Sequence, residues 1–178
     1  MKKEFSVYKY ELIGTIFIII LGTILHFTYA WSNNNTIVGI FSSVNESTWE
    51  HLKLIFFPFV ITTIIGLYLF CKNYPNYLCS KTKGLIISLS FIILFFYTYT
   101  GILGSSVTFL NIGSFIFAII LGQYYAMKNI IIGNNCNNYS AIVILILLLS
   151  FITFTFIPPK IGLFNDPVTN TYGIYKSK

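Results

Sequence analysis

LIFFPFVITTIIGLYLFC, residues 54–71, runs without a single charge. As a helix at 1.5 Å per residue it would rise about 27 Å, close to the roughly 30 Å hydrocarbon core of a bilayer. The same property recurs along the chain, in Leu12–Leu25, Gly84–Met127 and Ala141–Pro159. The 178 residues are 56% hydrophobic and only 9% charged, with a mean hydropathy of +0.77. That leaves too little polar surface to clothe a water-soluble globule. The reading is an integral membrane protein, multi-pass in the plasma membrane, with the lipid bilayer as its first partner.

Working outward from residues 54–71, five spans are expected, at about 11–31, 49–71, 84–103, 109–127 and 141–158, in one polytopic domain over 1–178. The fold class is all-α, a bundle of five transmembrane helices. The basic residues are all lysines. Lys2, Lys3, Lys9, Lys72, Lys81, Lys83 and Lys128 flank one side of these spans, whereas loop 32–48 has none. The positive-inside rule then places the N-terminus in the cytoplasm and the C-terminal tail, with Lys160, Lys176 and Lys178, outside. With no basic face or recognised fold to accompany the charge, nucleic acid is not an expected partner. Lys2 and Lys3 before an apolar run resemble a leader peptide. Glu4, Glu11, His26 and the length of the run favour a retained helix instead.

Cys71, Cys79 and Cys136 fall on the lysine-rich side, where thiols are expected to stay reduced. The Asn-rich stretch 134–138 reads as a turn. In the fourth span Ser114, Ala118, Gly122 and Ala126 recur every four residues. This small-residue ladder lets a neighbouring backbone approach closely. Asn111 continues the stripe and is a candidate hydrogen-bonding residue.

Polar chemistry concentrates in SSVNESTWEHLK, residues 42–53. Ser43 or Ser47 is expected to cap the second span, with Glu46, Glu50 and Lys53 on one face and His51 on another. Trp49 serves as an interfacial anchor, and Lys53 pairs with Glu50. Pro58 is expected to kink the same helix. Helix rise sets His26 of the first span some 7 or 8 Å deeper than the surface, with Tyr97, Tyr99 and Thr100 as partners at its level. That depth difference argues against His26 and His51 sharing one ion unless the helices tilt. The tail 156–173 carries Pro158-Pro159, a helix stop, and is expected to fold back and bring Asp166 towards loop 32–48.

HFTYAWS (26–32), VGIFSSVNESTWEHLKLIFFP (38–58), YTGILG (99–104) and FIPPKIGLFNDPVTNTYG (156–173) resemble a family of small bacterial integral membrane proteins of unknown function with a VNES-x-WEH signature. The resemblance implies a bacterial polytopic membrane protein and carries no reaction with it.

Three functions follow from the residue types. Glu46, Glu50, His51 and His26 are candidate catalytic residues of an outward-facing, metal- or acid/base-dependent hydrolase. Glu46, Glu50 and His51 are the candidate ligands for a divalent metal such as zinc. Asn45, Trp49, Tyr99, Asn111 and Asp166 are candidate ligand-binding residues. The alternatives are a binding or transport protein for a small solute, ion or lipid headgroup, and a structural protein whose polar cluster only organises the outer loops. Nothing polar marks an inner half-channel.

Overall fold

The computed structural model describes residues 2–133 and 139–174, with side chains from Ser6 onward. The stretch 134–138, expected to be a turn, with Cys136, the side chains of Lys2, Lys3 and Glu4, and Lys176 and Lys178 lie outside the described residues. The elements are α1 (Lys2–Trp31), α2 (Thr36–Gly39), α3 (Thr48–Phe70), α4 (Tyr77–Leu103), α5 (Thr108–Ile132), α6 (Ser140–Phe156) and a 3-10 turn at Gly162–Phe164. Among the described residues the one strand-like pairing is an isolated bridge between Asn165 and Tyr172.

α1 (over Ser6–Trp31), α3, α4 and α5 are long and apolar enough to cross a membrane. α6, with 17 residues, is shorter and rises about 25 Å. The expected spans were too short for α1, α4 and α5: α4 begins at Tyr77 rather than 84, and α5 runs on to Ile132. Hydropathy marks only the apolar middle of a helix, while backbone hydrogen bonding continues into polar flanks. The exterior is apolar, with Tyr68, Ile102 and Phe109 at 88%, 78% and 81% exposure, a surface suited to lipid rather than water.

α3 is the central helix. It packs on α1, α4 and the 3-10 turn, and Leu52–Phe59 are buried throughout. Pro58 sits inside α3. Backbones meet where glycine permits. A Cβ on Gly22 of α1 would lie 2.4 Å from the Leu54 carbonyl oxygen of α3, and one on Gly84 of α4 would lie 2.4 Å from the Gly122 oxygen of α5. Ser114, Ala118, Gly122 and Ala126 are all buried, and Ser88 of α4 donates to the Ala118 carbonyl at 2.8 Å, so the ladder is the α4–α5 seam. Gly104 closes α4 at φ 73°, and four residues later α5 begins, which makes the two helices antiparallel neighbours.

Cys71 is a free, exposed thiol. Cys79 is disulfide-bonded, which overturns the expectation of thiols reduced throughout.

Candidate metal centre and buried ion pairs

The site is built by a loop that turns back down along α1. After α2, Ser42 Oγ donates to the carbonyl of Leu25 and accepts from the Tyr29 amide and Thr28 hydroxyl at 3.0 Å each. Ser43, next along, meets His26: its Oγ lies 3.3 Å from His26 Nδ1 and 3.4 Å from the His26 carbonyl. Asn45 Oδ1 accepts from the Ser47 amide at 2.9 Å, and Ser47 caps α3 by accepting from the Glu50 amide. Ser47 is therefore the cap. Glu46 lies before the helix and does not share a helical face with Glu50 and Lys53, contrary to the sequence expectation.

This path brings His26, Glu46 and His51 together. His51 Nε2 lies 3.4 Å from Glu46 Oε2, and His26 Nε2 lies 3.9 Å from Glu46 Oε1. The two rings are 5.3 Å apart, and one ligand atom from each of the three residues falls within 4.8 Å of the others. The expected depth gap does not exist, because the loop descends and His51 lies one turn inside α3.

The remaining ring nitrogens are already engaged. His51 Nδ1 is 2.9 Å from the Ser47 carbonyl, an oxygen that only accepts, so Nδ1 carries a proton. The Ser43 hydroxyl has one proton and can give it to the His26 carbonyl, leaving Oγ to accept from His26 Nδ1–H. In this tautomer both Nε2 lone pairs face the Glu46 carboxylate, an assembly of acceptors that needs a cation or a proton in its midst. The side chains are 30%, 34% and 49% exposed for His26, His51 and Glu46. Glu46's hydrogen bond to His51 holds its carboxyl below its ordinary value. In the metal-free protein a proton on His51 Nε2 satisfies the centre.

Glu50 is not part of it. Its carboxylate pairs with Lys53 Nζ at 2.5 Å, both side chains being essentially inaccessible (2% and 0%). It also accepts from the Val44 amide at 3.0 Å and from Thr155 Oγ1 at 3.4 Å. Lys53 Nζ donates further to the Gly39 carbonyl at 2.8 Å and to Thr155 Oγ1 at 3.0 Å. Together Glu50 and Lys53 tie α2, the loop after it, α3 and α6 to one another, and Glu50 stands outside the His26–Glu46–His51 group. The expected Glu50–Lys53 pair is present, but as a buried strut.

The candidate binding residues disperse. Asn45 Nδ2 holds the tail by the Gly173 carbonyl at 3.0 Å. Trp49 packs on Phe151, Phe154 and Phe164 at 4.6, 5.5 and 4.8 Å, fastening the tail and α6 to α3. Asp166 is buried and holds its own turn through the Val168 amide at 2.8 Å and the Thr169 hydroxyl at 2.7 Å. The tail does fold back, but the Asp166 carboxylate is committed within it. Tyr99 donates to Asn111 Oδ1 and accepts from the Val107 amide at 3.3 Å, bracing the α4–α5 connection. His26 has Ser43, not Tyr97, Tyr99 or Thr100, as its partner.

At the opposite end lies a second buried cluster that sequence reasoning missed. Lys81 Nζ meets Glu11 Oε2 at 2.6 Å, donates to Gln123 Oε1, and sits 4.4 Å from the Phe59 ring centroid. Tyr77 donates to Glu11 Oε1 at 2.6 Å. Glu11, Tyr77, Lys81 and Gln123 are all at most 2% exposed. Lys81 is therefore a core residue of the α1–α4–α5 junction, not a solvated topology signal. The available clue was Gln123, one of two side-chain amides, with Asn111, within the charge-free run 84–127.

Four helices long and apolar enough to cross a membrane, under an apolar exterior, fit the class of all-helical membrane proteins. Within that class the chain belongs to a family of unknown function, DUF6512, which matches it over residues 1–174. No curated protein and no solved structure matches the chain. Membership assigns no reaction and no residue role.

Proposed function

We propose that this protein is a multi-pass membrane protein with a divalent-metal centre at His26, Glu46 and His51, and that it acts as a membrane-embedded hydrolase. One observation carries the reading: two imidazole Nε2 atoms and a carboxylate converge within 4.8 Å while each ring's other nitrogen is held by an oxygen. Two histidines and one glutamate, oriented by outer hydrogen bonds and leaving a position open, are a donor set suited to catalytic zinc or a similar first-row ion. Held by His26 Nε2, Glu46 and His51 Nε2, such an ion would supply Lewis-acid activation of water for attack on an ester. Metal analysis of the purified protein after incubation with Zn²⁺ or Co²⁺ tests the centre. Native protein and Glu50→Gln should bind one ion, and His26→Ala, Glu46→Ala and His51→Ala should lose it. Native protein that takes up no first-row metal refutes the proposal.

The buried Glu11–Lys81 cluster supports a second reading, ion- or proton-coupled movement of a solute. The apolar core that includes Ile18, Phe56 and Phe59 lies between the two polar clusters, and Glu11 and His26 are about 22 Å apart along α1. That separation favours the hydrolase. Proton flux in proteoliposomes that Lys81→Met abolishes would favour transport.

For orientation, lysine bias supports a cytoplasmic N-terminus with the metal centre outside, whereas the Cys79 disulfide counts against a reducing compartment on the opposite side. Impermeant maleimide on intact cells decides, through the free Cys71: no labelling places the metal centre outside.

A further inference from the structure

Resting on the metal-centre reading, we infer that its substrate is an amphiphile with an anionic phosphate-ester headgroup, whose apolar chain stays in the bilayer while the headgroup reaches the ion. The centre lies on the rim of the lipid-facing stripe of α1. Ile16, Ile20, Ile24, Phe27 and Trp31 recur at helical spacing and are 54%, 55%, 42%, 46% and 69% exposed. His26 stands at the edge of this stripe, its ring 4.9 Å from Phe27, and Phe27 stacks on Trp31 at 5.8 Å. Aromatic side chains of this kind mark the headgroup level of a membrane protein. The loop that carries Glu46 adds further exposed apolar residues, Ile37 at 70% and Phe41 at 46%. Behind the centre, Ser42, Ser43, Ser47 and the start of α3 are buried. The centre is thus closed on its protein side and open towards water at Glu46 and towards lipid at Phe27.

Charge selects the headgroup. One carboxylate and two neutral imidazoles leave a divalent ion with a net single positive charge. Among the described residues no second carboxylate joins the group: Glu50 pairs with Lys53, and Asp166 holds its own turn. The open position therefore prefers an anionic oxygen.

Co²⁺-loaded protein in phosphatidylcholine nanodiscs, titrated with inorganic phosphate and with alkyl phosphates of increasing chain length, tests this through the Co²⁺ visible spectrum. If the chain remains in the bilayer while the headgroup is bound, apparent affinity should rise roughly fourfold per added methylene, as expected for a burial of about 0.8 kcal/mol each. If the site takes only water-borne ligands, a longer chain must be pulled out of the membrane. Affinity then stays flat or falls, which overturns the inference while leaving the metal centre standing. Failure of Co²⁺ to bind native protein overturns both. A spectral change with inorganic phosphate and none with any alkyl phosphate identifies a soluble anion as the ligand and also refutes the bilayer route.

Discussion

Replacing Glu50 by alanine should strand the Lys53 ammonium in a site with no access to water. The pair is 2.5 Å apart with both side chains buried, and Glu50 accepts from the Val44 amide and Thr155 hydroxyl as well. Removing one partner of such a pair costs about 3–5 kcal/mol, because the other charge stays buried and unpaired. For a chain of this size that corresponds to a fall in Tm on the order of 10 °C. The double variant Glu50→Leu with Lys53→Met removes both charges together, and it should recover most of the loss. Thermal unfolding in a defined detergent reads both. A Glu50→Ala protein as stable as the native one, or a double variant no better than either single, would show that the pair is not the strut described here. Metal content measured on the same samples separates roles: Glu50→Gln should keep its ion, while Glu46→Ala should lose it.

Other perturbations probe other layers. Lys81→Met leaves the Glu11 carboxylate buried without its cation, and should destabilise by about 3–5 kcal/mol; Glu11→Gln combined with it should restore most of that in the same melt. Gly84→Leu drives a side chain into the Gly122 carbonyl and should abolish the α4–α5 seam, seen as loss of the monodisperse folded peak, while Gly101→Ala, with nothing within 4 Å of its Cβ, should not change it. In metal-free protein, Glu46 titrates below its ordinary value of 4.5 because of the His51 hydrogen bond. Its stabilisation is therefore present above about pH 4.5 and lost as pH falls through the lowered value, a dependence that Glu46→Gln should remove from acid-side melting curves. Metal uptake must displace the proton between His51 and Glu46 and should weaken as pH drops, measured by Co²⁺ titration at stepped pH.

How far the sequence reveals this design depends on the scale of the signal. Charge-free runs announced the long helices, the Ser114–Ala126 ladder announced the α4–α5 seam, and Ser47 announced the start of α3. The meeting of His26 with His51 was hidden, because depth along two helices was reckoned from their rise alone. The link 40–47 turns back along α1, and nothing in its composition states that descent. Lys81 misled for a related reason: a lysine near a span reads as solvated, but four earlier residues of helix, beginning at Tyr77, carry it inside to Glu11. Glu50 was read both as a candidate ligand and as a partner of Lys53, and only three-dimensional burial separates those roles.

The strut at the head of α3 also fixes an order of assembly. Lys53 and Glu50 are made early and close together, but Thr155, which bonds to both, follows Lys53 by 102 positions. At about 5–20 residues per second, the ribosome delivers that hydroxyl roughly 5–20 s later. Until then the charge pair, already joined to Gly39 and Val44, lacks its bonds to Thr155. Docking of α6 is therefore the late, sealing event of biogenesis, and chains truncated before it should remain bound to chaperones or be degraded.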